Sequence, residues 1–136
     1  EIAPWLQKAV ERTHQGGKSL VCHCDGENEQ LLPLYRKYPF DMAESVCPKP
    51  MTHLTLREVR EGMPGITIFG GIPAVILMHD ESETNFNDYM DTLFSELDRG
   101  DRLIFGVADN VPPAAILSRF EALQERIEKF GPVEPR

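Results

Sequence analysis

One short segment carries the residues best suited to chemistry. Residues 19–26 read Ser-Leu-Val-Cys-His-Cys-Asp-Gly, an apolar run that leads into metal-capable side chains and a glycine. This order is typical of a parallel strand in an α/β protein that delivers its carboxyl end to a functional site. Because side chains alternate along a strand, His23 and Asp25 share one face, and Cys22 and Cys24 share the other.

The hydrophobic pattern predicts a helix followed by four strand–helix units. The predicted strands are residues 19–24, 41–45, 66–69 and 103–107. The predicted helices are residues 2–13, 27–38, 55–62, 85–97 and 112–130, with a helical turn at 74–78, a helix break at 99–101 and a frayed tail at 132–136. Pro33 indicates that the second helix begins near Gln30.

Repeated strand–helix units predict an α/β fold with a parallel sheet and right-handed crossovers. A closed (β/α)8 barrel takes about 250 residues, and this chain has 136. The pattern therefore leaves two architectures open, which are a small open doubly wound sheet and half of a barrel. In both architectures the functional groups lie at the carboxyl ends of the strands.

Polar groups and glycines follow each predicted strand, and a parallel sheet brings them to one edge. These residues are His23 and Asp25, Glu44 and Cys47, Gly70 and Gly71, and Asp109 and Asn110. A histidine with carboxylates can hold a divalent metal such as zinc, or it can act as an acid and base. The two glycines allow a ligand to approach the backbone closely.

Each candidate also has a structural interpretation. Glu44 can cap a helix or pair with an arginine, and Gly70 and Gly71 can form a tight turn. Asp109 and Asn110 can cap the last helix. These interpretations stay open beside the functional ones.

The cysteines and the other histidines are predicted to be structural or exposed. Cys22 and Cys24 are interpreted as small buried side chains, and Cys47 as either a core residue or a ligand. Three cysteines, an odd number, favour a reducing, cytoplasmic setting. The histidines predicted to lie exposed in loops or at helix ends are His14, His53 and His79.

Composition and charge narrow the classes of partner. The length suits one domain over residues 1–136, and the formal net charge is -8 without a basic cluster. Nucleic acid and anionic membranes are therefore poor partners, and no apolar run reaches the roughly 20 residues that span a bilayer. The chain begins at Glu1 rather than at a methionine, so we expect a piece of a longer protein.

Four segments in order resemble the uroporphyrinogen decarboxylase-like superfamily. They are Val-Cys-His-Cys-Asp-Gly at 21–26 with Leu-Leu-Pro-Leu at 31–34, Asp-Met-Ala-Glu-Ser at 41–45 with Pro48, Ile-Thr-Ile-Phe-Gly-Gly-Ile-Pro at 66–73, and Gly-Val-Ala-Asp-Asn-Val-Pro-Pro at 106–113. The resemblance extends from about Trp5 to Gly131. It implies the C-terminal half of a (β/α)8 barrel, with four strand–helix units.

The resemblance also implies a function and a set of site residues. The superfamily includes the decarboxylase of porphyrin metabolism, a lyase, and zinc-dependent methyltransferases that move methyl groups between a corrinoid and coenzyme M. It implies a small-molecule substrate, zinc as the cofactor and a corrinoid protein as a methyl-donor partner. The implied catalytic residues are His23, Asp25, Glu44 and Asp109, with His23 and Asp25 as metal ligands and Gly70, Gly71 and Asn110 at the substrate.

The chain differs from the methyltransferases and from the decarboxylase at defined positions. The methyltransferases use a His-x-Cys pair, and here Asp25 stands where that cysteine would be, which makes the ligand set harder. The decarboxylase carries a histidine near the end of its last strand, where this chain has Val107, Ala108 and Asp109. Its essential aspartate and its substrate-binding arginines lie in the other half of the barrel.

A half-barrel would expose unpaired strand edges. We therefore expect a homodimer, or pairing with the missing N-terminal half. Two alternatives to an enzyme stay open. The first is a non-catalytic α/β module that binds a small ligand, and the second is an inactive structural fragment.

Overall fold

The computed structural model describes residues 2–98 and 102–131. The helices are α1 (Ala3–Gln15), α2 (Leu32–Lys37), α3 (Leu56–Gly62), α4 (Glu83–Glu96) and α5 (Leu117–Phe130), with 3-10 turns at Glu29–Leu31 and Ala74–Leu77. The strands are β1 (Val21–His23), β2 (Met42–Val46), β3 (Thr67–Ile72) and β4 (Leu103–Val107). The predicted helix break at 99–101 and the predicted frayed tail at 132–136 lie outside the described residues. Within the described ranges no helix is both long and apolar enough to cross a membrane.

The four strands form one parallel sheet in the order β1-β2-β3-β4. This confirms the predicted α/β class and the predicted parallel sheet. The sequential order differs from that of a doubly wound sheet, in which the strand order reverses at a switch point. Right-handed crossovers between strands in this order place the connecting helices on the same side of the sheet.

One face of the sheet forms the core. Ala43 and Ile68, which are neighbours in the β2–β3 register, are completely buried. They belong to a cluster that includes Val59 of α3, Met90 of α4 and Leu123 of α5. The helices therefore bury their apolar stripes against this face, as the periodicity of the sequence predicts.

The opposite face of the sheet is open. Val21, Phe69 and Ile104 are 50%, 39% and 47% exposed. Phe69 and Ile104 are partners in the β3–β4 register, so their side chains point to the same side. Large apolar side chains in the middle of a sheet are normally covered, and here no described element covers them.

Strand β3 is longer than predicted, because it continues through Gly70 and Gly71. The prediction that this strand ends at Phe69 is therefore wrong. Gly70 has a φ of 140°, and a Cβ there would lie 2.7 Å from the carbonyl oxygen of Val46. The register between β2 and β3 shifts between Glu44 and Val46, opposite this glycine. A glycine is needed because the two backbones approach each other so closely.

Two helices begin later than predicted. Helix α2 begins just before Pro33 and follows a 3-10 turn, because proline fits only the first turn of a helix. Leu31 and Leu34 are 40% and 48% exposed. Helix α5 begins at Leu117 with Ile116 as its N-cap, not near residue 112.

The start of α3 agrees with its sequence signature. The Thr55 side chain accepts a hydrogen bond from the Glu58 N–H at 3.2 Å, and the Glu58 carboxylate accepts one from the Thr55 N–H at 2.7 Å. This reciprocal pair is a capping box, which the order Thr-Leu-Arg-Glu at 55–58 encodes. It fixes the point where the loop after β2 turns into the helix that covers the sheet.

Replacing Gly70 with alanine is expected to destabilise the protein more than the same change at Gly26. Both glycines have a positive φ, 140° and 74°, so each substitution carries strain of about 1–3 kcal/mol. Only at Gly70 does the new Cβ also meet the backbone of Val46, since nothing lies within 4 Å at Gly26. We expect Gly70→Ala to lower the free energy of unfolding by a further ~1–3 kcal/mol in urea denaturation. Equal losses in the two variants would contradict the close approach.

Candidate functional site

The centre of the site is a histidine–carboxylate pair that joins β1 to β2. The parallel register places His23, the last residue of β1, beside Glu44, the middle residue of β2. The Nδ1 atom of His23 lies 2.6 Å from Oε2 of Glu44. The two side chains are 59% and 34% exposed, so a ligand can reach the pair from solvent.

A serine fixes the second oxygen of the carboxylate. The Ser45 hydroxyl donates a hydrogen bond to Oε1 of Glu44 at 2.6 Å. Ser45 itself is buried and has a φ of 60°, a left-handed conformation that a non-glycine residue adopts at some cost in strain. Both carboxylate oxygens of Glu44 are therefore engaged, which orients the carboxylate toward His23. No spacing rule in the sequence points to Ser45 as part of the site.

The pair shifts the proton affinity of both partners. The hydrogen bond to Glu44 raises the pKa of His23, and the charges of Glu44, Asp25 and Asp109 raise it further, against a smaller opposing effect of burial. The hydrogen bonds from Ser45 and then from His23 lower the pKa of Glu44. A cationic imidazole beside an anionic carboxylate is thus the favoured state between the two pKa values.

The ring nitrogens of His23 have different roles. Nδ1 contacts Glu44, and within residues 2–98 and 102–131 Nε2 makes no hydrogen bond. A carboxylate on one nitrogen fixes the orientation of the ring and directs the other nitrogen to a ligand. Nε2 can therefore donate a proton when the ring is charged or bind a metal when it is neutral.

Asp25, Asp109 and Asn110 lie in the segments that follow β1 and β4. Asp25 lies beyond the end of β1, so it does not share a strand face with His23 as the alternation predicted. Asp109 follows β4 with a φ of 62°, and Asn110 donates a hydrogen bond to its Oδ2 at 3.1 Å. Both residues are exposed at the sheet edge. Neither caps α5, which begins at Leu117.

Gly70 and Gly71 are buried inside β3, one and two residues beyond Phe69, the register partner of Glu44. Their predicted contact with substrate stays a prediction. The observed role of Gly70 is to allow the close approach of β2 and β3.

The three cysteines lie in or beside the core. Cys24 and Cys47 are buried, and Cys22 is half-buried. Burial raises the pKa of Cys24 to about 11 and that of Cys47 to about 11. Because metals bind the thiolate and not the thiol, these two side chains are poorly prepared to act as ligands at neutral pH.

The predicted metal ligands form an incomplete set. A catalytic zinc takes three protein ligands, and the prediction supplies His23 and Asp25. In the described part of the chain, neither residue belongs to a group of three metal-capable side chains whose ligand atoms lie within 4.8 Å of one another. The residues of this chain alone therefore do not fit a resident catalytic zinc.

Comparison of the chain with protein-family models, with curated proteins and with solved structures finds no match. A functional proposal therefore depends on the geometry of the sheet edge and on the resemblance of the segments that follow the strands.

The pKa of His23 is expected to lie above about 6.5, the ordinary value of an exposed imidazole. Since the pKa of His23 is raised, its pairing stabilises the fold fully below the ordinary histidine pKa, and this is lost as pH rises through the raised value. For Glu44, whose pKa is lowered, the stabilisation is present above the ordinary glutamate pKa and is lost as pH falls through the lowered value.

An NMR titration of the His23 ring protons measures this shift. Glu44→Gln removes the carboxylate and should lower the pKa of His23, because the neutral amide no longer favours the cation. Glu121→Gln, at an exposed position on α5, is the matched control and should leave the titration unchanged. A pKa of His23 that is the same in the protein and in Glu44→Gln would show that the pair does not form.

Proposed function

We propose that this chain is half of a uroporphyrinogen decarboxylase-like (β/α)8 barrel in which His23 and Glu44 carry out proton transfer. One observation carries the proposal. The His23–Glu44 pair joins the carboxyl end of β1 to the middle residue of β2, and TIM-barrel enzymes hold their catalytic residues toward the carboxyl ends of their strands. The resemblance of the segments at 21–26 and 41–45 supplies the enzyme class.

The shape of the sheet supports the half-barrel. The strands follow in sequence order, the core cluster covers one face, and Val21, Phe69 and Ile104 are exposed on the other. In a closed barrel the inner face carries such side chains and is filled by those of the remaining strands. A second copy, or a four-stranded half of the same kind, would pair its β1 with β4 of this chain and its β4 with β1. This arrangement would remove both unpaired edges.

The chemistry that suits the pair is protonation of a carbanion. Loss of CO2 from a carboxylated carbon leaves an electron pair that must take up a proton. The His23 imidazolium would donate this proton from Nε2, while Glu44 stabilises the charged ring through Nδ1. Because the pKa of His23 is raised, the donating form is populated near neutral pH. The exposed ring would then recover a proton from solvent.

A second candidate function is zinc-dependent methyl transfer with a corrinoid protein as the donor. A carboxylate on Nδ1 of a metal-binding histidine is a common arrangement around zinc, and the His23–Glu44 contact has this form. The remaining ligands would come from the other half of the assembly, since the pKa values of Cys24 and Cys47 are raised to about 11.

Because the resemblance places the essential aspartate and the substrate-binding arginines in the other half of the barrel, release of CO2 from uroporphyrinogen by this chain in complex with that half tests the proposal. We expect turnover, reduced by about 10²–10⁴-fold in His23→Ala because general-acid catalysis contributes this much. Glu44→Gln should lower the rate less and shift the descending limb of the pH–rate profile to lower pH, because the imidazolium then loses its proton more easily.

The control for this assay is again Glu121→Gln, which should keep the full rate. Equal rates in the unmodified chain and in His23→Ala would show that His23 is not the acid. Binding of uroporphyrinogen without release of CO2 would show that the protein is a non-catalytic binding module and not an enzyme. The absence of both binding and turnover would also reject the proposal.

A further inference from the structure

A cavity lies at the amino ends of the strands, on the side of the sheet away from the candidate site, and is called here the amino-edge cavity. Its volume is about 570 Å³, which falls within the ~300–1,000 Å³ typical of small-molecule sites. The segment before each strand contributes one residue to its lining: Ser19 before β1, Asp41 before β2, Gly65 before β3 and Arg102 before β4. The parallel order of the strands therefore brings four separate segments to this cavity.

The carboxylate in the amino-edge cavity is already hydrogen-bonded within the protein. Nε2 of His14 lies 2.9 Å from each carboxylate oxygen of Asp41. The Leu20 N–H donates a further hydrogen bond to Oδ2 of Asp41 at 2.6 Å. Asp41 thus connects the end of α1 to the start of β1, and its contacts are explained by this structural role.

The donors in the same cavity lack such partners. Within residues 2–98 and 102–131 the Arg102 guanidinium and the hydroxyls of Ser19 and Thr67 make no hydrogen bond. The backbone that carries them is fixed, because the Ile68 N–H donates to the Arg102 carbonyl at 2.8 Å and the Thr67 N–H donates to the Asp41 carbonyl at 2.9 Å. A guanidinium offers five N–H donors and no acceptor, so a ligand of this cavity must supply acceptors.

Thr67 and Arg102 lie next to each other across β3 and β4. Each stands one residue before a member of the register pair Ile68–Leu103. Side chains at matched positions of parallel strands point to the same side of the sheet. The hydroxyl and the guanidinium can therefore contact the same group of a ligand. The planar fork of a guanidinium matches the oxygens of a carboxylate or a phosphate.

The rest of the lining is largely apolar. Val10 of α1, Phe40 and Met42 contribute to the wall of the cavity, and Phe40 is buried. Sites for small molecules commonly combine apolar walls with a few polar groups that fix the orientation of the ligand. The lining thus suits a ligand with an anionic group and an apolar body.

We propose that the amino-edge cavity binds a small organic anion whose carboxylate or phosphate group is held by Arg102 and Thr67. The apolar part of the ligand would pack against Phe40 and Met42. TIM-barrel enzymes carry out their chemistry at the opposite ends of the strands, so the anion would bind here without reacting. The inference does not depend on the proposed function, because it uses none of the residues of the candidate site.

An NMR titration of the isotope-labelled chain with benzoate, phenyl phosphate and benzyl alcohol tests this proposal. Benzoate or phenyl phosphate should shift the amide signals of Ser19 and Thr67 until the site is saturated, and the tighter of the two identifies the preferred anionic group. Benzyl alcohol has the ring without the charge and should leave these signals in place. Equal effects of benzyl alcohol and both anions would contradict the role of the guanidinium.

Two arginine variants with the same change of charge locate the binding. Arg102→Gln should weaken binding of the anion by at least about tenfold, the usual loss when a hydrogen bond to a charged group is removed. Arg12→Gln, at an exposed position of α1 outside the cavity, should leave the affinity unchanged. Arg102 is also exposed, so its replacement removes no core packing, and circular dichroism checks the fold.

Three outcomes would overturn the proposal. They are equal affinities in Arg102→Gln and Arg12→Gln, shifts confined to the surroundings of His23, and no saturable shift at millimolar concentrations of either anion.

Discussion

The structure depends on a sheet that is covered by helices on one face only. Four parallel strands follow one another in sequence order, and α3, α4 and α5 contribute to the core on a single face. The helices bury Ala43 and Ile68 on that face, while Val21, Phe69 and Ile104 stay exposed on the other. The same arrangement brings the carboxyl ends of the strands to one edge. The candidate site and the uncovered apolar face therefore have a common origin in the strand order.

The sequence predicted those parts of the fold that local chemistry determines. Strand β4 occupies the predicted residues 103–107, and the capping box at Thr55 and Glu58 marks the start of α3. Gly131 ends the last helix with a φ of 83°, as glycine commonly does. These features follow from hydrophobic alternation, side-chain capping and backbone freedom, each of which is encoded within a few residues.

Features that depend on contacts between distant segments were not predictable. The extension of β3 through Gly70 follows from its close approach to Val46. Arg119 lies on the face of α5 that was predicted to be apolar, yet it is buried because carbonyl oxygens, including that of Ile76, and the Glu83 carboxylate accept its hydrogen bonds. His53 was correctly predicted to be exposed, but its contact with Glu27 spans 26 positions of the chain.

The location of the candidate site was predictable from the sequence, but the contact between His23 and Glu44 was not. Periodicity placed His23 and Glu44 at strand ends, and only the register of β1 against β2 shows that they touch. With Asp25 and Asp109 nearby, the sheet edge is acidic around a single imidazole. Such a field favours a proton or a cation at this edge, in keeping with the net charge of -8. The proposal of proton transfer at this edge follows from that charge balance.

The mass of the intact protein by native mass spectrometry tests most directly whether the open face is covered by a second half. We expect a dimer, or a complex with a complementary half. Ile104→Lys would place a charge on the open face and should give monomers. Leu117→Lys, at a 72% exposed position on α5, should leave the assembly intact. A monomeric chain, or equal assembly in Ile104→Lys and the unmodified protein, would contradict the half-barrel account.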